Sequence, residues 1–223
     1  MTLVLPYERV CNMRLLPADQ GISEALKIIH HGGIVAHATE TCYGFACDLT
    51  NPKAIQTLFL LKDRPDMQQV SALFPSVSAA KEWVEWNEKA EELAEKYLPG
   101  TLTMILPLKT DHRSLINDQH TLGVRVSSHP IAQKLAEIAH VPLSTTSANL
   151  HGMPSAYSAE EILDQFKDRA VQPDLVLDSG VLPALSPSTV IAIEGGMMRM
   201  VRQGSILVAE VSEENSFETH RSW

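Results

Sequence analysis

The chain has 223 residues, 44% hydrophobic and 20% charged, which suits one large globular domain or two small ones. A net charge of −9 and an aromatic content of 5% count against a broad nucleic-acid surface built on phosphate neutralisation and base stacking. No run of about 18 apolar residues occurs, and the N-terminus MTLVLPYERV lacks a basic leader with a long apolar core. Neither a membrane span nor a signal peptide is expected, and the cytoplasm is the default compartment. The three cysteines, Cys11, Cys42 and Cys47, form no disulfide framework and fit a reducing compartment.

In chain order, residues 1–18 read as an irregular lead-in with an edge strand near Val10–Leu16. Residues 20–31 read as a helix facing inward with Ile22, Ala25, Leu26 and Ile29 and ended by Gly32. Ile34-Val35-Ala36 is a short buried-type strand. Thr39-Glu40-Thr41 then places two hydroxyls and a carboxylate just past its carboxyl end, where open α/β sheets bind ligands. Asn51-Pro52 is a cap with a first-turn proline. The helix it starts buries Ala54, Ile55, Leu58 and Phe59 and delivers Lys62 and Arg64. Pro65-Asp66 makes a turn, and Val70–Phe74 is a strand.

Ser78 caps one helix that carries Ala80, Trp83, Val84, Asn87, Ala90, Ala94 and Tyr97 and stops at Pro99-Gly100. Thr101–Pro107 is an apolar strand, and residues 109–120 read as a loop. Thr121–Ser127 is a strand with Arg125 at its middle. Ser128-His129-Pro130 opens a helix through Ile131, Leu135 and Ile138. Pro142–Thr145 is a short strand running into Thr146-Ser147-Ala148-Asn149. Ser158-Ala-Glu-Glu161 is a capping box for a helix with Ile162, Leu163 and Phe166. Leu175–Asp178 is a strand, residues 179–187 a loop, and Thr189–Ile193 with Met197–Arg202 a hairpin about Glu194-Gly195-Gly196. Strands alternating with helices, closed by a hairpin, give an α/β (α+β) domain around a mixed sheet. The expected division is a lead-in at 1–18, a domain at 19–207 and an acidic tail at 208–223.

Four local features bear on chemistry. Lys62-x-Arg64 is either a solvated helix terminus complementing the dipole or a phosphate-binding pair. Ser144-Thr-Thr-Ser147-Ala-Asn149 offers four hydroxyls and an amide after a strand, as a hydrogen-bonded turn or as donors to phosphate. Arg125 between Val124 and Val126 lies on an exposed face or is buried with a partner such as a ligand carboxylate. Cys42-x4-Cys47 near His37 lacks zinc-site spacing, so buried inert thiols are expected. His30-His31 reads as solvent-facing, and Trp83 and Trp86 as packing residues. No P-loop, dinucleotide fingerprint, H-E-x-x-H or G-x-S-x-G is present.

Taken together, GGIVAHATETCYGFACD, KDRP at Lys62–Pro65, PGTLTMILP, LGVRV, HPIA, PLSTTSANLHG, PSTVIAI and VRQGSI resemble the YrdC/TsaC-type threonylcarbamoyl-AMP synthases over residues 20–207. The most specific element is K-x-R followed far downstream by S-x-N: Lys62, Arg64, Ser147 and Asn149. The resemblance implies a twisted, open, helix-flanked sheet in a single domain with a concave, positively lined cavity. It implies L-threonylcarbamoyl-AMP and pyrophosphate made from ATP, bicarbonate and L-threonine, feeding t6A modification of tRNA at position 37. By matched position, Thr41, Arg125, Thr145 and Ser188 would contact threonine. Arg64, Thr121, Ser147, Ser155 and Arg202 would contact ATP, with Lys62 and Asn149 completing the motif and Mg²⁺ accompanying the phosphates. Partners implied are the substrates and, beyond them, tRNA or the t6A transfer proteins.

The segment also departs from the family pattern. Gln68 stands where a phosphate-binding lysine is usual, a loss of roughly 1.5–3 kcal/mol for one charge-assisted bond. Gln69 and Val70 replace the usual Pro and Leu, and Leu73 stands where some members have His. Ala38 replaces the proline of P-T-E-T, and His151 the serine of S-A-N-x-S-G. These departures suit a second reading, a YciO-type paralogue with weak or different adenylate chemistry; a third, of a different class, is a noncatalytic RNA-binding or ribosome-maturation factor of the same fold, which the net charge of −9 and the few aromatics count against.

Overall fold

A computed structural model describes residues 13–64, 70–116, 120–195 and 197–207, with only the backbone described at 114–116. Cys11, the Pro65-Asp66 turn, the Gln68 and Gln69 departures and the acidic tail lie outside the described residues.

The first strand, β1 (Arg14–Pro17), is the expected edge strand, and helix α1 (Ala18–His30) follows without a break. Strand β2 (Val35–Ala38) ends where Thr39-Glu40-Thr41 begins. A second strand, β3 (Tyr43–Ala46), then returns antiparallel to β2, pairing Val35 with Ala46 and Ala38 with Tyr43. No strand is expected from the sequence between Thr41 and Asn51. All four residues of β3 are buried, so no alternation of polar and apolar side chains marks it as a strand.

Helix α2 (Pro52–Leu61) starts where Asn51 accepts from the Lys53 and Ala54 backbone N–H groups. Ala54, Leu58 and Leu61 join the core with Ile34, Phe45 and Phe166, whereas Ile55 and Phe59 join a second core with Leu49, Met104 and Val124. This helix is packed on two sides, which fixes what its C-terminus carries. Strand β4 (Ser71–Leu73) follows.

The single helix expected from Ser78 to Tyr97 is two helices, α3 (Val77–Trp83) and α4 (Glu88–Tyr97). Ser76, not Ser78, caps the first, and Asn87 caps the second by accepting from Ala90 N–H. The break falls at Val84, which forms an antiparallel bridge with Leu108, and Asn87 is a start signal rather than a core position. Trp83 and Trp86 pack against the core as expected.

Strand β5 (Leu102–Pro107) leads into a short 3₁₀ helix (Thr110–Ile116) where a loop is expected. Strand β6 (Thr121–Arg125) ends on Arg125, which is therefore terminal and not central. Helix α5 (Pro130–Ala139) is capped by His129. The expected strand at Pro142–Thr145 is β7 (Leu143–Ser144), followed at once by β8 (Thr146–Ser147) in a different sheet. Helix α6 (Ala159–Phe166) begins at Ser158, whose hydroxyl accepts from Glu161 N–H; Glu161 reaches back to Tyr157 N–H. Strand β9 (Leu175–Asp178) and the hairpin β10 (Thr189–Glu194) with β11 (Met197–Arg202) lie where expected.

The mixed sheet is divided in two. One sheet has the order β1-β9-β2-β3-β8 and the other β11-β10-β5-β6-β4-β7. Helices α1 and α5 cover one face of the first sheet, burying Ala25, Ile29, Leu135 and Ala136 with Val35 and Leu175, while α6 covers the other through Ile162 and Phe166. Helices α3 and α4 pack Ala80, Ala90, Leu93 and Ala94 on the second sheet. The carboxyl end of β2 in one sheet and that of β6 in the other face a shared region. No described helix is long and apolar enough to cross a membrane.

Candidate active site

Cys42 marks the centre of this region. Its thiol lies against the hydroxyls of Thr41 and Ser155 and within the fields of Arg125 and Lys62. Arg202 in turn senses both Cys42 and Arg125. Residues from β6, the end of α2, the 150s loop and β11 thus converge, although they are far apart in sequence. Burial pushes the Cys42 thiol above its ordinary range and pushes Cys47 up to about 12. Both are protonated, buried thiols, as expected, but Cys42 stands amid the candidate ligand contacts.

Lys62 is 5% exposed, which excludes the solvated-terminus reading. Its ammonium donates to the Ser147 carbonyl and to Asn149 O at 2.9 Å. It also lies 5.7 Å from the centre of the Phe45 ring. Burial, with Arg64 nearby, lowers its pKa from 10.5 to about 7. The K-x-R and S-x-N elements are therefore joined directly, by the lysine side chain and the backbone of the second motif. Asn149 is buried and spends its amide on Leu150 O and Met153 O, leaving its Oδ1 buried without a partner among the described residues. His151 donates its backbone N–H to Lys62 O at 2.8 Å while its side chain is exposed. The serine-to-histidine departure thus leaves that link unaffected, because the backbone makes it.

Arg64 follows Asp63, whose φ of 51° turns the chain out of the helix. Its guanidinium lies 5.9 Å from the centre of the Phe59 ring, and partial burial lowers its pKa.

Arg125 is 7% exposed. Its Nη2 donates to Glu40 Oε1 and to Thr41 Oγ1, both at 2.8 Å. Its Nε is buried without a partner among the described residues. Glu40 also accepts from the Ser127 hydroxyl, and its carboxyl is held below the ordinary range by Arg125 and by these hydrogen bonds, which outweigh its burial. The buried-with-a-partner reading of Arg125 holds, and the partner on this side is a carboxylate of the chain itself.

Ser188 is fixed from two directions. Its hydroxyl shares a 3.0 Å bond with Thr103, and Arg202 donates to its carbonyl and hydroxyl at 2.9 and 3.0 Å. Gly204 permits this arrangement. A Cβ there would lie 2.2 Å from Pro187 O and 2.5 Å from Ser188 C, so the chain after β11 lies directly on the segment bearing Ser188.

Thr145 donates its N–H to Ser71 O at 2.9 Å at the step between β7 and β8. Thr121 pairs with Pro107 at the opposite end of β6 from Arg125, about 13 Å away at ~3.3 Å per residue.

Glu40 is placed by the sequence at the ligand end of β2 but given no role there, and Ser127 is not singled out at all. The adjacency of Glu40 to Thr41 is the signal that could have found the first; nothing in the sequence marks the second. Among the described residues no group of three or more His, Cys, Asp or Glu side chains could hold a metal ion.

The Sua5/YciO/YrdC family model, described as telomere recombination, matches residues 27–204. The threonylcarbamoyl-AMP synthase of Psychromonas ingrahamii is 30% identical over 182 residues, covering 80% of this chain and 95% of that one. That of Vibrio campbellii is 31% identical over 156 residues, covering 68% and 84%. Among solved structures, P. abyssi Sua5 complexed with L-threonine has a TM-score of 0.77 at 29% identity, covering 87% of this chain; the chain spans 58% of that protein. E. coli YciO has a TM-score of 0.75 at 27% identity, covering 88% and 97%.

Proposed function

Because the chain belongs to the Sua5/YciO/YrdC family, we propose that the cluster around Cys42 is the active site of an L-threonylcarbamoyladenylate synthase. The chain is an enzyme that forms threonylcarbamoyl-AMP and pyrophosphate from L-threonine, bicarbonate and ATP, for t6A modification of tRNA. The observation that supports this reading best is the gathering of Lys62, Arg125 and Arg202 around Cys42, beside the Thr41 and Ser155 hydroxyls.

The reaction needs such an arrangement. Threonine's amine and bicarbonate give a carbamate and water; a carbamate oxygen attacks the α-phosphorus, and pyrophosphate leaves. Anions must be brought together and oriented, and cations fixed in advance do this without reorganisation at the moment of reaction. In this reading Arg125, Thr41, Thr145 and Ser188 hold threonine, with Arg125 on its carboxylate. Arg64, Ser147, Ser155 and Arg202 hold the phosphates, and Thr121, at the far end of β6, meets the nucleotide's other end. Lys62 and Asn149 lock the two motif loops together. Lys62 takes up a proton when the phosphates arrive, because an adjacent polyanion favours its charged form. No side-chain nucleophile is required.

The described residues do not form a protein cage for Mg²⁺, so the metal enters with the nucleotide, as part of that substrate. A cytoplasmic setting and hand-over of the product to the t6A transfer machinery belong to the same reading.

The test is pyrophosphate release from ATP and bicarbonate with and without L-threonine, for the wild type and Arg64→Ala. Threonine-dependent release that is lost in Arg64→Ala is expected. Release indifferent to threonine in a folded protein overturns the reading.

A further inference from the structure

Arg125 has five N–H donors in one rigid plane. Two, both on Nη2, are committed to Glu40 and Thr41. The remaining three, one on Nε and two on Nη1, have no hydrogen-bond partner among the described residues, and Nε is fully buried. A buried guanidinium with so much unspent capacity is poised for an anionic ligand. The side chain must nevertheless be held still for that purpose, since an arginine has many rotamers.

Glu40 supplies the constraint. Its carboxylate is itself clamped at both oxygens, Oε1 by Arg125 and Oε2 by the Ser127 hydroxyl. Ser127 in turn accepts from the His129 backbone N–H at 3.1 Å, next to the start of α5. The line of bonds from the helix start through Ser127 and Glu40 to Arg125 is buried over most of its length. Glu40 side-chain exposure is 15% and that of Arg125 is 8%. Each oxygen of Glu40 already has a partner within the chain.

Resting on the synthase reading, we propose that Glu40 is a positioning residue for the amino-acid subsite. It holds the Arg125 guanidinium by Nη2 so that the Nε and Nη1 donors meet the substrate carboxylate. Its action is on threonine alone and is exerted only through Arg125.

The experiment compares wild type, Glu40→Gln, Arg125→Gln and the double variant. Its readouts are calorimetric L-threonine binding and the separate KM values for threonine and ATP, with a thermal melt to confirm folding. Glu40→Gln keeps the shape and removes the charge. It is expected to weaken threonine binding on the order of tenfold while ATP KM stays within about twofold. It is expected to do nothing further in the Arg125→Gln background. Ser127→Ala, which loosens Glu40 without touching Arg125, is expected to shift threonine KM in the same direction by a few-fold; it carries the test if Glu40→Gln fails to fold. The proposal is overturned if Glu40→Gln binds threonine as wild type does, if both KM values rise together, or if its effect adds in full to that of Arg125→Gln. A folded wild type that binds no threonine overturns the synthase reading and this proposal together, whereas normal binding by Glu40→Gln overturns this proposal alone.

Discussion

The two ends of the site carry the same sign of charge and treat it in opposite ways. At the β6 end, Arg125 is buried beside a carboxylate of the chain, itself bonded to Ser127. At the α2 end, Lys62 is buried against two carbonyl oxygens and a phenyl ring near Arg64, and the lysine ammonium itself meets no carboxylate among the described residues. In the first the guanidinium is paired with a carboxylate of the chain before any ligand arrives, with Nε still unpartnered among the described residues. In the second the ammonium has no such counter-charge among the described residues, and burial lowers its pKa to about 7. A monoanionic amino-acid carboxylate needs a placed guanidinium; a polyphosphate brings the missing negative charge with it.

The largest effects should come from removing one cation at each end, with opposite consequences for stability. Arg125→Gln leaves Glu40 buried without its cation, so a loss of about 3–5 kcal/mol is expected in denaturant melts, together with a steep but measurable rise in threonine KM. Lys62→Met abolishes turnover but should raise stability at pH 7. The sign follows from linkage. A folded-state pKa below the unfolded value means that the unfolded chain binds more protons between about pH 7 and the ordinary value of 10.5. Wild-type stability therefore rises with pH across that window, and the advantage of Lys62→Met, a few kcal/mol at pH 7, shrinks as pH increases. Two variants that destabilise alike would break the comparison. It would be sharpened by proton uptake on ATP binding at pH 8, measured in buffers of different ionisation enthalpy and absent in Lys62→Met.

Smaller effects should follow from the supports. Gly204→Ala forces a methyl group into the Pro187–Thr189 backbone and should cost about 1–3 kcal/mol while raising the KM values that depend on Ser188 and Arg202. The smallest effect is expected from Arg169→Ala. Arg169 pairs with Asp63, the residue of positive φ between Lys62 and Arg64, at the rim of a groove also lined by Leu60, Asp168 and Val171. Both partners are well exposed, so stability should change by less than about 1 kcal/mol. ATP KM should rise a few-fold and threonine KM should not move.

Much of the fold is legible in the sequence because its start and stop signals are local. Asn51-Pro52, Ser158 and Pro99-Gly100 each punctuate an element where they stand. The break at Val84 is not legible, since apolar spacing runs through it and only the bridge to Leu108 ends α3. Strand β3 is hidden by burial on both faces. At the site, Lys62, Arg64, Ser147 and Asn149 are legible as motif residues, but the reason for their pairing is tertiary: the lysine ammonium binds the backbone of the other motif. Glu40 is in plain view, and its role lies in contacts 85 and 87 residues away.

The four residues Leu143–Ser147 spans, less its middle, belong to different sheets, with β7 beside β4 and β8 beside β3. Ser144 adds a stitch of its own, donating to Phe45 O and accepting from Cys47 N–H. Thr145 therefore sits at a crossing between the two sheets. Shear of one sheet against the other is felt at this residue, which in the synthase reading touches the amino acid. A ligand seated there acts as a rivet, and threonine should stiffen the relation between the sheets as well as fill a pocket. Slower amide exchange on both β4 and β3 on threonine addition, with the edge strand β1 unchanged, would be the mechanical signature.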